Sequence, residues 1–178
     1  MIATIFKAFI SGMVGAFMLC GCSTTSGRAQ EEPVSGESVS ADLTSSERSA
    51  FEFYKQALGL RRAGEPAKAL PLYKKAFEAL SEEDPPIAYA AIANEYGVTL
   101  LETGKKDDAY EMCKKALAYN EEAGNQPGIA VSHLNLGDAC RAMNDMAEAQ
   151  LHWQEALRIA KKQNLAQLVE AIYLRPVN

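Results

Sequence analysis

Residues 50–80 read AFEFYKQALGLRRAGEPAKALPLYKKAFEAL, residues 90–120 read AAIANEYGVTLLETGKKDDAYEMCKKALAYN, and residues 130–160 read AVSHLNLGDACRAMNDMAEAQLHWQEALRIA. The three stretches align at an offset of forty residues, without a gap. Ala57, Gly97 and Gly137 correspond, as do Ala69, Ala109 and Ala149, and again Ala76, Ala116 and Ala156. A chain that repeats itself at such a period builds one supersecondary unit several times and stacks the copies. Small residues at fixed places predict that the helices of each copy touch closely.

Each unit reads as two helices. In the first, apolar residues recur at spacings of three and four, as in Phe53, Ala57 and Leu60, or Ala93, Tyr96, Gly97 and Leu100. Gly64, Gly104 and Asn144 then share one slot. Gly and Asn enter the left-handed backbone region at low cost, so this slot is predicted to end one helix and turn the chain. Pro66 suits the first turn of the helix that follows. The second helix carries Ala followed four residues on by an aromatic or its replacement: Tyr73, Cys113 and Trp153.

These slots, with the Leu136-Gly137 pair, resemble the tetratricopeptide repeat. The resemblance implies an all-α fold: a right-handed superhelical stack of antiparallel helix pairs, with three units at about 50–89, 90–129 and 130–165. The period departs from the family's usual length of about 34 residues. The additional residues fall around SEEDPP and EEAGNQPG and imply longer helices, similar to the extended arrays of kinesin light chains and many bacterial regulators. After Lys161 and Lys162, NLAQLVEAIYL supplies a further helix, expected within 166–175 as the cap over the last apolar face.

The start of the chain has a different character. From Ala8 to Cys22 no residue is charged, a run too short to span a bilayer but of the length of a secretory apolar segment. Its end, Leu19-Cys20-Gly21-Cys22, resembles the lipobox of bacterial lipoproteins, with Cys22 as lipid acceptor; the register on Cys20 would put Leu19 where a small residue is needed. The resemblance implies a signal peptide at 1–21, acylation of Cys22 and a permanent tether to the membrane. Ser23, where Asp would be the inner-membrane retention signal, points to the outer membrane facing the periplasm. Residues 22–48, rich in Ser, Thr, Gly and Glu, read as a leash that cannot bury enough surface to order itself. The repeat domain is expected over 49–178, with Ser45 or Ser46 as N-cap of its first helix and Glu47 in the first turn.

Composition bounds the chemistry. The net charge of −5 offers no basic field for nucleic acid. The sequence carries no metal, phosphate-loop or nucleophile motif and implies no cofactor and no enzyme. His133 falls in a packing slot, and His152, beside Trp153, is expected to face solvent. Cys113 and Cys140 also stand in packing slots, where a free Cys behaves as a small buried hydrophobe; an oxidising periplasm leaves a disulfide between them as the alternative.

By resemblance, partners bind on the concave face lined by first helices. Carried over, its residues are Tyr54, Leu58, Arg61 and Arg62 in the first unit, Asn94, Val98 and Leu101 in the second, and Asn135, Asp138 and Arg141 in the third. The two-carboxylate clamp for chaperone tails is discounted, because Tyr54 and Leu58 stand where that clamp has Lys and Asn. The implied function is a lipid-anchored periplasmic adaptor that binds a protein, such as an envelope enzyme or a secretion or pilus assembly component. A self-associating structural module, dimerising through Trp153 and Tyr173, is the competing reading.

Overall fold

A computed structural model describes residues 44–175, and they form seven α-helices. In chain order these are α1 Ser45–Arg62, α2 Pro66–Ala79, α3 Pro86–Glu102, α4 Lys106–Glu122, α5 Gln126–Ala142, α6 Met146–Lys162 and α7 Ala166–Tyr173. The helices pair as α1–α2, α3–α4 and α5–α6, with α7 against α6. Pairs then stack: α2 meets α3, α4 meets α5, and first helices touch across units, α1 with α3 and α3 with α5. The expected signal peptide, Cys22 and most of the expected leash lie outside the described residues. The first helix starts at Ser45, so Ser45 and Ser46 are helical, the domain begins a turn earlier than residue 49, and Glu47 sits in the first turn.

The period of forty has a simple origin. Helices α4, α5 and α6 are 17 residues each and are followed by three-residue turns, so one helix and its turn occupy half a period. The turns share one geometry. The amides of Glu65, Lys105, Asn125, Asp145 and Leu165 each donate at 2.9 Å to the carbonyl five residues back, and the amides of Gly64, Gly104, Gly124, Asn144 and Asn164 each donate to the carbonyl three back. This is the Schellman pattern, which satisfies two orphan carbonyls and requires a left-handed residue. Gly64 and Gly104 adopt φ of 79° and 78°, and Asn144 and Asn164 adopt 67° and 57°.

One turn breaks the pattern and corrects the expectation of uniformly longer helices. The second helix of the first unit, α2, has only 14 residues and ends at Ala79, with Leu80 after it in an extended conformation. Pro85 occupies the slot of Asn125 and Leu165, and having no N–H it cannot donate the long bond of the turn. Asp84, which precedes a proline and replaces Gly124, closes a different turn by accepting from the Ser81 amide at 2.7 Å. The connection grows as the helix shrinks, and the period survives.

The core lies in the small-residue slots. Ala57, Ala69, Ala76, Ala109, Ala116, Ala149 and Ala156 are completely buried, as are Tyr73 and Cys113. The first helix of each pair meets the second where Ala57, Gly97 and Gly137 recur. A Cβ on Gly137 would lie 2.4 Å from the Trp153 ring, and one on Gly97 2.6 Å from the Cys113 sulfur. The glycine at 137 therefore exists to admit an indole. Leu168 and Ile172 of α7 join the cluster of Leu134, Trp153, Ile159 and Ala160, covering the last pair's apolar side.

Candidate functional site

The ten carried-over residues lie on α1, α3 and α5, the helices that stand side by side. Packing divides them sharply. Tyr54 is buried at 2% exposure, edge-on to Tyr73. Asn94 and Asn135 are also buried, and the Asn135 amide donates to Asn94 Oδ1 at 3.1 Å. Ser132 donates to the same oxygen at 3.1 Å and accepts from Asn120 at 3.0 Å, while Asn125 donates to Asn120 at 2.7 Å. A chain of hydrogen bonds thus ties α3, α4 and α5. Tyr54, Asn94 and Asn135 are corrections to the sequence reading: they build the floor of the face, and a partner cannot reach them without moving helices.

Two further residues tie elements together, Arg61 between units and Asp138 from the third unit to the segment after α7. Arg61 of α1 donates to Glu95 at 2.8 Å and holds Glu102 in a fork through Nε and Nη2, all across to α3. Burial raises the Glu95 carboxyl above its ordinary range, and the Arg61 charge partly offsets this. Burial works against the charge of Arg61, yet the Glu102 hydrogen bonds and the Glu95 charge outweigh it and push the guanidinium pKa up. Asp138 of α5 receives Arg175, just past α7, at 2.7 and 3.2 Å. The sequence reading missed Glu95, Glu102, Ser132, Asn120 and Arg175. A legible signal existed for two of them, since Glu95 and Glu102 are acids on the helix face next to Arg61.

What remains available is a smaller set. Arg62 and Arg141 are exposed, and Leu58, Val98 and Leu101 are half-buried. Leu58, Val98 and Leu101 thus leave partly exposed apolar surface on α1 and α3, and Arg62 and Arg141 leave exposed positive charge on α1 and α5.

Cys113 and Cys140 are buried and unbonded in this structure. Burial pushes the Cys113 thiol up to about 12 and the Cys140 thiol up to about 11, which keeps both protonated and unreactive at neutral pH. His152 does not face solvent as expected: its Nδ1 lies 3.0 Å from His133 Nδ1, because the residue before Trp153 on α6 points along α5 instead of away from it. Among the described residues no group of three or more His, Cys, Asp or Glu is placed to hold a metal. No helix among them is long and apolar enough to cross a membrane.

Comparison with known proteins agrees with this architecture. Residues 88–162 match the tetratricopeptide repeat family, which takes in the second and third units and leaves out the first, where α2 is shortened. Among solved structures, the chain resembles the N-terminal domain of stress-induced protein-1 from C. elegans, at 20% identity and TM-score 0.57, covering 74% of this chain and 99% of that one. It also resembles the tetratricopeptide domain of Arabidopsis FLU, at 20% identity and TM-score 0.61, covering 66% of this chain and 98% of that one. A third likeness is BtubC from P. vanneervenii, at 21% identity and TM-score 0.55, covering 72% of this chain and 60% of that one. No curated protein matches significantly by sequence. The described residues have the fold of a tetratricopeptide-type solenoid: three helix pairs with a C-terminal helix.

Proposed function

We propose that this protein is a non-catalytic adaptor of a Gram-negative cell envelope. Lipid on Cys22 holds it at the outer membrane facing the periplasm, and the face of α1, α3 and α5 binds a protein partner. The partner is an envelope enzyme or a component of a secretion or pilus assembly. The observation that carries the adaptor reading is that α1, α3 and α5 touch across units and carry the exposed Arg62 and Arg141 together with the partly exposed Leu58, Val98 and Leu101. The anchor rests on the LCGC stretch alone.

Two measurements test the two halves separately. Cys22→Ala is expected to release a folded protein from the membrane fraction, and persistence in outer membranes would end the anchor reading. Crosslinking in the native envelope should trap a defined partner with the wild type and at least tenfold less with Arg62→Glu combined with Leu101→Asp, a loss of about 1.4 kcal/mol or more. Equal trapping by both proteins would remove the binding face.

A self-associating module is favoured by one observation only. Tyr173 and Leu174 are 60% and 80% exposed at the end of the stack, whereas Trp153, at 5%, is core and cannot serve as a dimer contact. Sedimentation at micromolar concentration separates the readings, because a monomer excludes self-association.

A further inference from the structure

The third unit contains a device that neither the adaptor reading nor the fold uses. His133 of α5 and His152 of α6 are the only histidines of the chain, and the structure sets their rings together, centroids 5.3 Å apart and Nδ1 atoms 3.0 Å apart. A hydrogen bond at that distance needs one Nδ1 that carries a proton and one that does not. The neutral pair satisfies this with opposite tautomers. The pair with one added proton satisfies it equally, since one imidazolium Nδ1–H still points at one bare Nδ1. Only two imidazolium rings place N–H against N–H, with like charges in contact.

We propose that His133 and His152 form a one-proton dyad, an acid-operated latch between α5 and α6 that tolerates one added proton and opens on the second.

The surroundings fit this role. From α6, Glu148 Oε1 stands 3.6 Å from His152 Nε2, and Glu155 acts on His133 while held by Arg158 at 2.7 Å. From α4, Glu121 acts on His133 as well. These carboxylates attract a proton but do not outweigh burial: burial, then the His152 charge and more weakly the Arg158 charge lower the His133 pKa, and burial lowers that of His152 despite Glu148. A second proton meets the same burial and, in addition, the like charge of the ring already protonated. A histidine whose folded pKa is depressed leaves the native state short of protons that the unfolded chain accepts. Stability at this site is therefore full above about pH 6.5 and declines as pH falls below it.

The latch sits on a sensitive seam. His152 directly precedes Trp153, whose ring covers Gly137 of α5, and Gly137 directly precedes Asp138, which holds Arg175. Separation of the two histidines loosens α6 from α5 where the indole is seated. The inference needs neither the anchor nor the partner.

The chain's single tryptophan makes the test direct. In full-length protein with chelator present, an NMR titration from about pH 8 to about pH 5 should show the two imidazoles taking up protons in two steps about one pH unit or more apart. Trp153 emission should shift to the red along the second step. His152→Gln keeps a side chain that can bond His133 but removes one ionisable ring, so His133 should titrate in one step and the emission should stay constant over that range. His133→Phe, which restores the residue type found at Phe53, should also abolish the shift. Over the same interval the wild-type Tm should fall by about 2–4 °C more than that of either variant. A single shared step near pH 6.5, or an equal emission change in both variants, would overturn the proposal.

Discussion

At the scale of single residues, the face lined by first helices is governed by Arg61. Its guanidinium joins α1 to α3 through Glu95, which is 8% exposed, and through the more open Glu102. Removing one member of such a pair costs more than the pair contributes, because the partner charge stays buried. Arg61→Ala is expected to destabilise the protein by about 3 kcal/mol in urea unfolding near pH 8. The Glu95 carboxyl already has a raised pKa, and without Arg61 it rises further. A raised folded-state pKa contributes stability at low pH that is lost as pH rises through it. The deficit of Arg61→Ala relative to wild type should therefore shrink as pH falls towards about 5. Glu95→Gln in the same background should remove that pH dependence, and a deficit constant with pH would show that the buried charge is not the cause.

At the scale of elements, the decisive feature is the repeated turn. Its left-handed slot was legible in the sequence because Gly64, Gly104 and Asn144 are the residue types that accept it, and their φ values of 79°, 78° and 67° agree. Asn144→Gly is expected to leave stability unchanged or raise it slightly, and Asn144→Ala to lower it by about 1 kcal/mol, as read from denaturation midpoints. Equal effects of the two substitutions would mean that backbone conformation does not decide the slot. The shortened α2 was not legible from spacing, since the period is identical in all units. It follows from the missing N–H of Pro85, a fact about one bond in one turn. The dyad was hidden for a similar reason. A histidine beside a buried tryptophan reads as solvent-facing on a helical wheel, and only the crossing of α5 and α6 turns it onto His133.

At the scale of the whole molecule, a solenoid's stability is carried by neighbours, so its ends are its weakest parts. Here the last pair is covered by α7, which contributes Leu168 and Ile172 at 7% and 5% exposure and the Arg175–Asp138 tie. Ending the chain after Gln163 should cost the third unit on the order of 3 kcal/mol, given the usual contribution of two buried aliphatic side chains. In such a protein Trp153 emission is expected to report unfolding at lower denaturant than helical circular dichroism does. Coincident transitions would show that the three pairs unfold as one and that α7 is dispensable to the local seam.

The sequence by itself determined the repeat, its helix pairs, the small residues where they touch and the residue types that turn the chain. These depend on local conformation and on periodicity, which are written along one dimension. It also carries the apolar start and the LCGC stretch on which the anchor proposal stands. Tertiary structure alone decided which polar side chains remain free. Tyr54, Asn94 and Asn135 went into the floor, Arg61 into a tie between units and Asp138 into a tie to the segment after α7, while Arg62 and Arg141 stayed exposed. The reason is physical: buried donors and charges are stabilised by partners, and those of Asn94, Asn135, Arg61 and Asp138 lie 34 to 41 residues away in the chain, on whichever helix packing brings alongside.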